Sequence, residues 1–504
     1  MLKNIFANIF GRLWGTVSNF LFIPLYIKYL GFDSFSIISF TLVIAGFMMI
    51  FGAGVTATLS REFARSDYSR AEKIQVFDTL EVTYFILILF CGTIVFFLSN
   101  HIANDWISVP KYKPEEISCY IKIIAIDVGF QLLIKLYMGG MLGLEKHVKA
   151  NAYQIGWGVF RNGLVVVVIA LNPKLEYFFM WQCIASIIFA ILLRVSLSKM
   201  FLGGKFHINF KFDFLIIKRI WRFSTGLFFI ALIAGVNTQL DKLIIGLYLP
   251  IEELGYYTLS VSLAMGLVVI VNPISSALLP RFTSLYTSNK TKDAAKIFNT
   301  VSLYVSVLIF SFMSNMIFNA ENLLWVWTGN IVISEHSSSY LPVIAVSMAM
   351  LSLQVMPYSI AIANGYTKIN TTLGLCSLFI TIPGYWFVIK EHGAMGAAVV
   401  FCVVQVITTF LYLYFIQKKF LRERRVFYSY IKLIFLPLFA TLILGYVFSL
   451  ISYSFEIGRV YTLISIGLCS LFTLFFSMLI LDYVGVKRCV VRFWKHFVHS
   501  DYSR

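Results

Sequence analysis

The chain has 504 residues, of which 59% are hydrophobic and 13% charged, and its formal net charge is +17. A soluble protein carries about twice that charged fraction, so a water-soluble globule is excluded and an all-α, polytopic membrane protein remains. The basic surplus is scattered over many short segments, which argues against nucleic-acid binding and makes membrane lipids with anionic headgroups its natural partners.

A membrane span needs roughly 20 largely apolar residues. In chain order such windows fall near 8–29, 35–56, 79–100, 117–139, 152–171, 177–197, 223–244, 254–278, 297–318, 339–360, 371–389, 393–416, 432–452 and 460–484, which is about fourteen helices. The first is long enough to span and is followed by no small-residue cleavage site, so it reads as a helix and not as a signal peptide. The least distinct boundaries lie between the eleventh and twelfth windows and around 241–250.

Most of the 41 Lys and Arg residues cluster in alternate loops: 61–73, 199–222, 281–296, 418–432 and the tail 487–504. The positive-inside rule then places both termini in the cytoplasm. Lys111, Lys113, Lys174, Lys390 and Arg459 mark the opposite side. In the tail, Phe493, Trp494 and Phe497 alternate with Arg492 and Lys495, the pattern of a short helix anchored in the interface.

No connecting segment is large enough to hold a soluble catalytic domain. A nucleotide-binding GxxxxGK[ST], a zinc-protease HExxH, a GxSxG elbow and paired acidic motifs are all absent from the sequence. The seven Cys are dispersed without a CxxC or a Cys/His cluster, so neither a metal site, a disulfide framework nor a cofactor is expected. A transporter is favoured over an enzyme.

The second and eighth windows align without gaps at an offset of 220: Gly46 with Gly266, Ile50 with Ile270, Leu59 with Leu279 and Arg61 with Arg281. Further on, Gly143 pairs with Gly365 and Lys146 with Lys368. The offset spans an even number of helices, so the repeat is parallel, a layout of secondary transporters. It divides the chain into a first six-helix lobe (1–198), a basic cytoplasmic linker (199–222), a second six-helix lobe (223–418), two appended helices (419–486) and a basic tail (487–504).

Ionisable groups within spans are costly and face a cavity or a partner. Asp127, Gln131 and Lys135 recur at four-residue spacing on the fourth helix, as do Gln154, Gly158 and Arg161 on the fifth; Arg12, Thr16 and Asn19 line the first, and Asn237 with Asp241 the seventh. Lys122 lies within reach of Asp127. Arg12, Arg194 and Lys135 have snorkelling to headgroups as an alternative. Asn272-Pro273 reads as a hinge, and the aromatic run 323–329 as an outer loop whose Trp325 and Trp327 either anchor at the interface or stack on sugars.

The opening pattern Pro24-Leu25-Tyr26, Tyr29-Leu30-Gly31, Phe51-Gly52-Ala53-Gly54 and Leu59-Ser60-Arg61-Glu62-Phe63-Ala64 resembles Wzx-type polysaccharide flippases of the multidrug/oligosaccharidyl-lipid/polysaccharide exporter superfamily. Asp241-Lys242-Leu243-Ile244-Ile245-Gly246, Leu254-Gly255-Tyr256-Tyr257 and the ANGYTK run at 363–368 are similar to the same family. The resemblance implies two six-helix lobes around a cleft, two extra helices, and no catalytic residue. It further implies transfer of an undecaprenyl-diphosphate-linked oligosaccharide, as of O-antigen, to the outer leaflet of the bacterial inner membrane by alternating access. A polysaccharide polymerase and a chain-length regulator are the implied protein partners. Arg161, Lys122, Lys135, Arg12, Asn19 and Gln131 are the expected substrate-binding residues, and Asp127 and Asp241 the expected ion-coupling or counter-ion residues. A cation-coupled multidrug exporter of the same fold, or an intramembrane polymerase or acyltransferase, are the alternatives.

Overall fold

In a bilayer every backbone N–H and C=O must find its partner within the protein, which leaves the helix as the unit this sequence can use. The computed structural model describes residues 14, 18, 21–65, 67–107, 109, 111–201, 211–366, 368–422, 425–450 and 458–483, and every regular element among them is helical. Two compact units emerge, residues 1–255 and 256–504.

The first unit contains α1 (Ile23–Leu30), α2 (Phe32–Ala64), α3 (Arg70–Asp105), α4 (Pro114–Gly143), α5 (His147–Leu171), α6 (Leu175–Phe201) and α7 (Phe214–Tyr248). The helix starts are written in the sequence. Ser69 and Glu72 form a reciprocal capping box at α3, Pro114 opens α4 after Lys113, and the Asp213 carboxylate accepts from the Leu215 N–H at 2.8 Å to start α7. α2 and α4 are the buried centre, whereas α3 turns Leu89, Phe90 and Phe97 outward, as a lipid-facing helix should.

Without a hydrophobic drive between helices, membrane packing relies on small residues that let backbones approach. A Cβ on Gly143 of α4 would stand 2.4 Å from the Ser60 carbonyl oxygen of α2, and one on Gly54 would stand 2.3 Å from the Ser224 carbonyl oxygen of α7. Beside the latter contact the Thr58 and Ser224 hydroxyls bond at 2.6 Å.

The second unit continues with α8 (Ile251–Ala264, which begins in the first unit), α9 (Gly266–Thr287), α10 (Thr291–Phe318), α11 (Ala320–Thr328), α12 (Ile331–Ser338), α13 (Leu341–Ala363), α14 (Lys368–Lys419), α15 (Val426–Ser449) and α16 (Arg459–Tyr483). α10 and α13 are its buried core, and α15 and α16 pack on α10. Gln354 of α13 donates to the Gln405 side-chain oxygen at 2.9 Å and to Thr409 at 3.0 Å, closing a polar link to α14.

Twelve segments among the described residues are long and apolar enough to cross a membrane. α14 is 52 residues long and non-helical at Gly393 (φ 61°, ψ −152°), so it has length for both the eleventh and the twelfth windows. Half of the first window, 8–29, lies outside the described residues, as do Arg12, Asn19, the linker residues 202–210 and the basic tail. The chain is a multi-pass membrane protein.

Two local expectations change. The 323–329 run is not an open loop: it belongs to α11, ended by Gly329 at φ 73°, and Arg459 donates to the Val326 carbonyl at 2.7 Å. The eighth window is divided at Met265, between α8 and α9, and α9 continues through the expected hinge at Asn272-Pro273 and through Pro280.

The close α2–α4 contact gives a test. Gly143→Val should lower the melting temperature of the purified protein markedly, whereas Gly92→Ala, where nothing lies within 4 Å of the added carbon, should leave it unchanged or slightly raised. Equal melting temperatures for the two variants would show that the contact is not limiting.

Candidate functional site

Asp127 sits thirteen residues into α4 and Arg161 fourteen residues into α5. At 1.5 Å per residue both lie about 20 Å from their helix starts, near the middle of a bilayer. Their side chains meet: Arg161 Nη2 donates to Asp127 Oδ2 at 2.9 Å, with the carboxylate 4% and the guanidinium 15% exposed. Asp127 collects two further donors, Gln131 Nε2 onto Oδ2 at 2.8 Å and Ser186 Oγ of α6 onto Oδ1 at 2.5 Å. A buried carboxylate is tolerated only when so supplied.

The backbone of α5 is shaped to present Arg161. Residues Val159–Gly163 form a π-turn, in which one extra residue widens the helix and disturbs its regular carbonyl bonding. Side chains from neighbouring helices reach the carbonyls of this turn. Trp181 Nε1 donates to the Phe160 carbonyl at 3.0 Å, Gln182 Nε2 to that of Arg161 at 3.2 Å, and the Tyr26 hydroxyl to that of Asn162 at 2.8 Å. The guanidinium lies 5.5 Å from the Trp157 ring centroid, a cation–π contact. Arg161 Nε, Trp157 Nε1 and Trp14 Nε1 are buried donors without an acceptor among the described residues.

The other expected site residues are placed as follows. Lys122 does not pair with Asp127; its ammonium stands 5.0 Å from the Phe96 ring centroid, and Arg161 takes the place beside the carboxylate. The five-residue step from Lys122 to Asp127 turns them to different faces of α4. Gln131 joins the Asp127 cluster, while Lys135, on the same stripe, is exposed and has no hydrogen-bond or ion-pair partner among the described residues. Asp241 is buried in α7 with Lys242 Nζ 3.9 Å away. Arg12 and Asn19 fall outside the described residues.

A second buried ion pair was not foreseen. Arg194 of α6 grips Glu81 of α3 in a bidentate contact, Nε to Oε1 and Nη2 to Oε2, each at 2.8 Å, and the Tyr137 hydroxyl of α4 adds a bond to Oε1 at 2.7 Å. Arg194 therefore does not snorkel to headgroups. Glu81 stands near the start of the 79–100 window in sequence, yet it lies well inside α3, which begins at Arg70, and its carboxylate is fully buried. The signal available in sequence was an acid and a base each inside an apolar window; their partnership across 113 positions was not.

The sequence profile of the family described as "Polysaccharide biosynthesis protein" matches residues 1–286, more than half of the chain, and that of "MatE" matches residues 227–387. A "Putative O-antigen transporter" of Shigella flexneri is 20% identical over 402 residues, covering 79% of this chain and 93% of that protein. Among solved structures, the lipid II flippase MurJ in an inward closed conformation superposes with a TM-score of 0.73 at 17% identity, over 97% of this chain and 100% of the other. An inward-facing multidrug resistance MATE family transporter of the MOP superfamily gives 0.64 at 13% identity, over 82% and 95%. These likenesses establish a MurJ- and MATE-like helical fold.

The Glu81–Arg194 pair is testable apart from transport. Arg194→Met alone leaves a buried carboxylate without its counter-ion and should cost about 3–5 kcal/mol, read as loss of folded protein in detergent melts. Adding Glu81→Leu removes the orphaned charge and should recover most of the stability. A double variant no better than the single one would refute the pairing energetics.

Proposed function

This chain belongs to the polysaccharide biosynthesis protein family, and we propose that it is a flippase for undecaprenyl-diphosphate-linked oligosaccharide. In this reading it carries an O-antigen or similar surface-polysaccharide repeat unit from the cytoplasmic to the outer leaflet of a bacterial inner membrane, by alternating access. Both termini stay in the cytoplasm, and an ion gradient supplies the energy.

The observation that carries the reading is the charge surplus at membrane depth on α4 and α5, where Lys122, Lys135 and Arg161 stand against one acid, Asp127. Glu81 is consumed by Arg194 and Asp127 is engaged by Arg161, while Lys135, on the same stripe of α4, and Lys122, on another face of it, have no carboxylate partner among the described residues. A diphosphate head is recognised by guanidinium and ammonium groups, Arg offering paired N–H donors that match phosphate oxygens. Arg161 is the proposed primary contact, with Gln131 beside it on Asp127 and Lys135, Lys122, Arg12 and Asn19 as further contributors; the lipid tail stays in the bilayer. The similarity to a protein described as an O-antigen transporter and to a lipid II flippase supports the same cargo class. A polysaccharide polymerase and a chain-length regulator then act on the delivered units.

The MATE-type likeness keeps one rival, a cation-coupled multidrug exporter. Such cargo is attracted by acidic groups, and here the acids near the site are already paired. In a strain lacking the gene, surface polysaccharide should disappear and return with the wild-type copy. Arg161→Gln should fail to restore it at normal protein level, while Arg161→Lys should restore part. Full polysaccharide with Arg161→Gln would remove Arg161 from the site, and drug sensitivity with intact polysaccharide in the deletion strain would favour the exporter.

A further inference from the structure

The two buried ion pairs of the first unit are built differently. Glu81 and Arg194 engage through two parallel N–H bonds, one to each carboxylate oxygen, and Tyr137 adds a third donor to Glu81, so the pair is closed. Arg161 instead gives Asp127 a single Nη2–H, keeps its buried Nε without an acceptor, and lies beside Trp157, whose buried N–H is also without one. Asp127 for its part remains bonded by Gln131 and Ser186 if Arg161 leaves. One pair is closed and the other is separable.

A carboxylate and a phosphate present a similar face to a guanidinium: two neighbouring oxygens that accept parallel N–H bonds. An uncompensated Arg at the bilayer midplane is costly, so a carrier that releases an anionic cargo needs something to neutralise the charge before it resets. We propose that Asp127 is an internal stand-in for the anionic cargo. It holds Arg161 while the protein is empty, yields it when a diphosphate arrives with more oxygens to offer, and takes it back on release. Asp127 thus tunes selectivity, because a ligand must outcompete a carboxylate already in place. This rests on the reading of Arg161 as the anion-binding residue.

The role predicts a sign that a merely orienting residue does not. With the purified full-length protein and undecaprenyl diphosphate as the probe, Asp127→Asn, which keeps the shape and removes the competing charge, should bind about tenfold more tightly. Ser186→Ala strips Asp127 of an alternative donor, fastens it to Arg161 and should weaken binding. In liposomes, Asp127→Asn should retain exchange of labelled for unlabelled probe but lose net transfer, which requires the empty protein to reset. Unchanged or weaker binding by Asp127→Asn overturns the stand-in role, as does tighter binding by Ser186→Ala. Arg161→Gln separates the two readings: if it binds like the wild type, the assignment of Arg161 itself fails.

Discussion

The constraint from which the rest follows is that the bilayer interior supplies no water to hydrogen-bond. Each polar atom carried to that depth must be met by another part of the chain, or its desolvation is uncompensated. Asp127 is met three times, by Gln131, Arg161 and Ser186, and Glu81 by Arg194 and Tyr137. Many hydroxyls inside the spans, among them Thr58, Ser306, Ser347 and Thr441, bond back to the carbonyl four residues earlier and so cost the packing nothing. The glycines of α2 and α4 meet the complementary demand, bringing backbones close where no polar bond pulls them together.

Helices were legible because they need only a run of apolar residues, and composition reports that directly. Their ends were less so: the 79–100 window becomes Arg70–Asp105, because polar turns extend a helix past the hydrophobic slab without changing mean apolarity inside it. That extension is what moved Glu81 from an apparent end to a buried interior. The stripe of Asp127, Gln131 and Lys135 was readable from helical spacing, and Arg161 from the rarity of arginine at such depth. What spacing along one helix could not give was partnership between helices. Lys122 was near Asp127 in sequence, Arg161 was 34 positions away, and the fold chose the latter. The π-turn left no mark in apolar periodicity at all, since a single extra residue is lost among ordinary variation.

The two ion pairs also divide labour by geometry and not by residue type. Both join an acid and an arginine within the same bundle, yet one engages both carboxylate oxygens through two N–H groups and the other uses a single N–H and leaves Nε open. The closed pair ties α3, α4 and α6 together and behaves as structure. The open pair has two donors in reserve on the acid and an idle donor on the base, which is what reversible binding requires. Charge counting alone makes the two look equivalent.

The three side chains that reach the carbonyls at Phe160, Arg161 and Asn162 also fix the reading frame of α5. A π-turn holds one residue more than the α-helical turn it replaces. Deleting a residue between 159 and 163 would close it, swinging one half of the helix relative to the other by about 100°. Arg161 would turn away from Asp127, and the indole, amide and phenol would be left facing nothing. The length of this stretch, more than the identity of its apolar residues, is therefore what sequence drift in the protein is least free to change.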